Sequence, residues 1–279
     1  MLRVPKGTVA ANFGLVRRVY ACARIWERGR FTSEQGELKM LKKVMTTAVL
    51  SCATAAFMIV AMPTITMAED DSSIARGGRL YDKWYKVIDA PKPTETHKAW
   101  PASNTKKKGD ATQRCKACHG WDLRGKDGAY SSGSYNTGIK GLRAMENADT
   151  AKIVAIIKDD THGYDGQMSE QDYADLALFI SKGQVDMTRY INADKSVKGN
   201  VAQGEAYYKT LCINCHGADG KSPKELPKPM GKIASGNPWE TLQKILNGQP
   251  KEQMPALRAL PLQVSLDVLA YTITLPQEY

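Results

Sequence analysis

Two short motifs constrain this 279-residue chain more than any other feature. Cys115-Lys116-Ala117-Cys118-His119 and Cys212-Ile213-Asn214-Cys215-His216 are two copies of Cys-x-x-Cys-His. Thiols at i and i+3 lie on one side of a helical turn. There they can form thioethers with the two vinyl groups on one edge of a porphyrin, and the histidine that follows aims its imidazole at the iron from one face. This is the attachment signature of c-type haem. The competing readings are a disulfide, a zinc site and a thioredoxin-like pair. Zinc wants further Cys or His ligands nearby, and the only other histidines are His97 and His162. A thioredoxin-like pair needs a βαβ context that this chain lacks. Every cysteine past residue 68 falls in one of the two motifs, which predicts two covalently bound haem c groups.

The segment before residue 69 reads as targeting rather than fold. Residues 40–68 have the layout of an export signal: Lys42 and Lys43, an apolar run over 44–62, then Thr66-Met67-Ala68 as a small-residue cleavage site before Glu69. Met40 is a natural start for it, and residues 1–39 read as an upstream over-call of the gene start. The expected location is the periplasm, with a membrane contact only if the signal stays uncleaved. Cys22 and Cys52 belong to this segment. So does most of the net charge of +10: residues 1–68 hold ten Lys/Arg against three Asp/Glu, which leaves 29 basic and 26 acidic residues after them. With no stacking platform or groove-reading motif either, nucleic acid is excluded as a partner.

The motifs resemble those of bacterial class I cytochromes c, in a dihaem arrangement covering residues 74–275. The resemblance implies an all-α fold, two tandem cytochrome c domains, electron transfer as the role, and redox partner proteins. In such domains the first helix crosses the last, and a glycine with an aromatic residue allows the close approach. Both halves carry the pattern: Gly77 with Tyr81, then Gly204 with Tyr208. Their closing helices match too, Asp175-Leu176-Ala177-Leu178-Phe179-Ile180 against Asp267-Val268-Leu269-Ala270-Tyr271-Thr272. The first domain is expected over 69–182, a linker over 183–200 and the second domain over 201–279. Cys212 follows Tyr208 by four residues, but Cys115 follows Tyr81 by 34. The first domain therefore carries a loop insertion before its haem motif, about 86–113, with Pro91, Pro93, Pro101 and the lysine run 106–108. A loop this long is usually functional or mobile, and Trp100 is its candidate lid over a haem edge.

By the same resemblance His119 and His216 are proximal iron ligands, and a methionine before the closing helix is the usual distal one. Met254-Pro255 fits this in the second half. Met230 is the weaker choice there, because the stretch 226–231 reads as the loop whose carbonyl orients the proximal imidazole. In the first half Met168 is tempting. Met254, however, lies 13 residues before Asp267, and the residue 13 before Asp175 is His162. Met168 also directly precedes Ser169-Glu170-Gln171-Asp172, a capping box in which Met168 and Tyr173 form a hydrophobic staple. His162 is therefore preferred over Met168, with His97 a third candidate. Histidine and methionine both occur opposite a proximal histidine, and methionine raises the potential. The expected role is single-electron transfer from a lower-potential first haem to a His/Met second haem. The alternatives are a dihaem oxidoreductase acting on peroxide or small sulfur compounds, and a haem subunit of a dehydrogenase complex.

Overall fold

The computed structural model describes residues 66–279, so nearly all of the export-signal segment, and all of residues 1–39, lie outside the described residues. The described chain is all-α. Its helices are α1 (Thr66–Val87), α2 (Cys115–His119), α3 (Thr150–Lys158), α4 (Glu170–Lys182), α5 (Val201–Leu211), α6 (Ile213–His216), α7 (Met230–Gly236), α8 (Pro238–Asn247) and α9 (Leu262–Thr274). Two isolated β-bridges and no strand occur among the described residues. No described helix is long and apolar enough to cross a membrane.

Local sequence starts and stops these helices. The Ser169 hydroxyl accepts from the Asp172 amide while the Asp172 carboxylate accepts from the Ser169 amide, the reciprocal capping box. Asp149, Asn200 and Asn237 cap α3, α5 and α8 with their side chains. Gly248, at φ 84°, ends α8 in a conformation that suits glycine.

The helices build two cores. Leu80, Tyr81, Trp84, Ile153, Tyr173, Leu176 and Phe179 lie in one, and Met187, Ile191, Leu242, Leu246, Leu266 and Leu269 in the other. In the first half α1 crosses α4 at Gly77, where a Cβ would sit 2.1 Å from the Asp175 carbonyl oxygen. In the second α5 crosses α9 at Gly204, where a Cβ would sit 1.9 Å from the Asp267 carbonyl oxygen. The Tyr81–Phe179 and Tyr208–Tyr271 rings both meet at 5.3 Å. The repeat thus extends to individual contacts. Residues 183–200 are more than a linker: Met187 and Ile191 are buried in the second core, and Ile191 bridges to Val197. The insertion is loop, with one 3₁₀ turn at Gly109–Thr112. Trp100 is buried within it, donating to the Asn104 carbonyl at 3.0 Å with its ring edge-on to Tyr135.

A buried ion cluster joins the halves. Asp82 of α1 pairs with Arg114 and, at 2.9 Å, with Lys244 of α8. Gln243 of α8 donates to the Trp121 carbonyl at 3.0 Å, and Arg79 to the Asn247 carbonyl at 2.8 Å. Burial alone would raise the Asp82 pKa, but Lys244 and Arg114 outweigh it and bring it to about 2. A carboxylate held below its ordinary value near 3.9 stabilises the fold above that pH, and loses the contribution as pH falls from about 4 through about 2. Asp82→Asn should therefore flatten stability against pH across that window. At neutral pH it should cost about 3 kcal/mol, because it removes the buried carboxylate charge that balances Arg114 and Lys244. Thermal melts from pH 2 to 7 check both.

Candidate functional site

Each Cys-x-x-Cys-His motif folds as one short helical turn that ends on a left-handed glycine. Gly120 follows α2 at φ 81° and Gly217 follows α6 at φ 73°. A tyrosine from the first helix of each half clamps that turn. Tyr81 donates to the Gly120 carbonyl at 2.6 Å, and Tyr208 to the Gly217 carbonyl at 2.9 Å. The sequence identified these tyrosines as helix-crossing partners but did not reveal this second bond. No disulfide joins the four cysteines of the motifs. Burial pushes Cys115 up to about 12, and Cys118 and Cys212 to about 11. A redox-active pair has the opposite property, a lowered thiol pKa. Among the described residues no three His, Cys, Asp or Glu side chains gather in one cluster.

Both motif histidines are oriented from behind. His119 Nδ1 donates to the Lys140 carbonyl at 2.9 Å, and His216 Nδ1 to the Ser222 carbonyl at 3.2 Å. Each ring is left with Nε2 to offer to a metal. The carbonyl behind His216 was expected from residues 226–231 and comes instead from Ser222. Met230 opens α7, with its amide bonded to the Gly220 carbonyl at 2.8 Å.

His162 lies in the loop between α3 and α4. Its amide and its Nδ1 both donate to Asp159 Oδ1, at 2.8 and 2.9 Å, so Nε2 is again free. The His119 and His162 rings are 6.3 Å apart between centroids, with planes 25° from parallel. Two imidazole nitrogens on one metal at about 2 Å each put the ring centres roughly 6 Å apart. The observed separation is of that size. Met168 lies in the first core with Tyr173, and its amide donates to the Tyr173 hydroxyl at 3.2 Å. His97 is buried. It meets the backbone of His162, its Nε2 lying 2.9 Å from the His162 carbonyl oxygen. In the second half Met254 is half-buried against the core in the loop after α8.

The surroundings of the two motifs differ. Lys116 is 4% exposed, with its Nζ 4.7 Å from the centres of both the Trp121 and Tyr135 rings. Burial, with Arg114 adding to it, lowers its pKa to about 7. Lys244 of α8 covers the Trp121 ring at 5.3 Å. In the second motif Asn214 and Cys215 face solvent, next to exposed Leu211.

No curated protein matches the chain at a meaningful level of similarity. The family model described as cytochrome C oxidase, cbb3-type, subunit III matches residues 199–265, which run from α5 into α9 and contain the second motif and Met254. Joined to the geometry of the motif, that match supports a c-type cytochrome, an electron-transfer protein that binds haem c covalently and works with redox partner proteins.

Proposed function

We propose that the chain is a periplasmic dihaem cytochrome c of two tandem domains, carrying single electrons from a lower-potential first haem to a higher-potential second haem and on to a partner protein. The observation that carries this reading is the equivalence of the two motifs: same turn, same glycine, same tyrosine clamp, same backbone carbonyl behind the histidine. Bound haem supplies the one-electron redox change, and the protein supplies attachment, ligands and surroundings. Cys115 and Cys118 in the first half, and Cys212 and Cys215 in the second, are the attachment residues. His119 with His162, and His216 with Met254, are the iron ligands. Met254 raises the potential of its half relative to a bis-histidine half.

The enzyme reading needs a vacant or labile position opposite His119. The His162 ring, tied to Asp159 and aligned with His119, argues against that. The intact mass of the exported protein tests the proposal. It should equal residues 69–279 plus two haems. A mass with one haem, or with a disulfide in place of either attachment, overturns the dihaem reading.

A further inference from the structure

The insertion has one contact that its length alone does not explain. His97, 8% exposed, presents its imidazole edge-on to two backbone groups. Its Nδ1 accepts from the Ala99 amide at 3.1 Å, which leaves the proton on Nε2, and Nε2 donates to the carbonyl of His162 at 2.9 Å. These two bonds select one tautomer and one ring orientation. The His97 backbone is held in turn. Its amide donates to the Thr112 hydroxyl at 2.9 Å, and that hydroxyl, on a fully buried side chain, donates to the Gly109 carbonyl at 2.6 Å. The neighbouring Gln113 carbonyl accepts from Trp84 at 2.9 Å and from Tyr164, two residues after His162, at 3.1 Å. The Tyr164 ring also packs on His97 at 5.5 Å.

The loop between α3 and α4 is therefore fastened, through the insertion, to the residues just before Cys115. Within its own loop the hydrogen bonds of His162 run to Asp159, and the amides of Gly163 and Tyr164 donate to the Asp159 and Ile157 carbonyls. The second half has no insertion, and there the matching position is Met254.

We propose that the insertion is a buckle for the distal ligand of the first haem, with His97 as the positioning residue that holds the His162 backbone. This rests on the reading of His162 as that ligand. A ligand on a free loop leaves the metal at the cost of little more than its own bond, whereas a carbonyl fastened from outside keeps the loop in place when the bond breaks, so rebinding wins. Neighbours that orient a ligand are typically worth 10–100-fold in metal-site affinity or activity.

Carbon monoxide binding to the dithionite-reduced holoprotein, with electron paramagnetic resonance of the ferric form, tests the proposal. His97→Ala should speed carbon monoxide binding at one haem by roughly tenfold or more and add a high-spin ferric signal, with the other haem unchanged. His97→Gln should stay near wild type, because an amide N–H can still donate to the His162 carbonyl. Trp100→Phe loosens the insertion by removing the bond to Asn104 but leaves His97 in place, and it should leave carbon monoxide binding unchanged. If Trp100→Phe matches His97→Ala, general loosening of the loop is the cause and the assignment to His97 is overturned. If His97→Ala leaves carbon monoxide binding unchanged while His162→Met alters a haem spectrum, His162 is the ligand and the buckle is wrong. If His162→Met is also silent, the ligand reading and the buckle fall together.

Discussion

Gly204→Ala should strongly destabilise the second half, and Gly77→Ala the first. Alanine is the better helix former by about 1 kcal/mol, so propensity alone predicts stabilisation. Packing decides the other way. The new Cβ would lie 1.9 Å from the Asp267 carbonyl oxygen in one case and 2.1 Å from the Asp175 carbonyl oxygen in the other. Both obstacles are main chain of the crossing helix, so no side-chain rotation relieves them. Overpacking a core usually costs about 1–3 kcal/mol. A clash with backbone that forces two helices apart belongs above that range, at about 4 kcal/mol or more. Gly78 offers a contrast. A Cβ there meets the Asn247 side chain at 2.3 Å, so Gly78→Ala should weaken the contact between the halves and leave each crossing intact. Differential scanning calorimetry of the exported protein checks all three variants. Unchanged melting of Gly204→Ala would show that the crossing is not the close approach described.

The second large effect is expected at His162. His162→Met should keep the first haem attached, because Cys115, Cys118 and His119 are untouched. It should raise the potential of one haem by on the order of 100 mV, within the roughly 0.8 V that axial ligands span. It should also add the near-infrared charge-transfer band of methionine-bound ferric iron. The loop should hold its place, because His97 bonds the backbone of residue 162 rather than its side chain. Met168→Leu should leave both spectra unchanged and cost less than about 1.5 kcal/mol, since leucine still packs in the staple position. The reverse pattern, a silent His162→Met and a lost band in Met168→Leu, would make both haems His/Met. The inferred direction of electron flow would then lose its basis.

What could be read from the chain alone was whatever a few consecutive residues decide. The spacing of Cys115, Cys118 and His119 is a property of one helical turn, and Ser169 with Asp172 is a local exchange of two hydrogen bonds. The Gly77–Tyr81 and Gly204–Tyr208 pairs were visible because a repeat shows the same local pattern twice. The equal 13-residue offsets of His162 and Met254 singled out His162, and the structure brings its ring to His119.

Tertiary structure alone decided the contacts between distant residues. His97 meets the His162 carbonyl across 65 positions, and Asp82 meets Lys244 across 162. Lys140 and Ser222 act through backbone carbonyls, which every residue carries, so no side-chain pattern marks them. Residues 183–200 have the Gly, Asn and Lys content of a linker, yet Met187 and Ile191 are buried because the second core leaves room for two apolar side chains there. Periodicity and capping specify which residues form a helix. Which backbone oxygen lies behind an imidazole depends on where the chain returns, and that is set by the packing of both halves together.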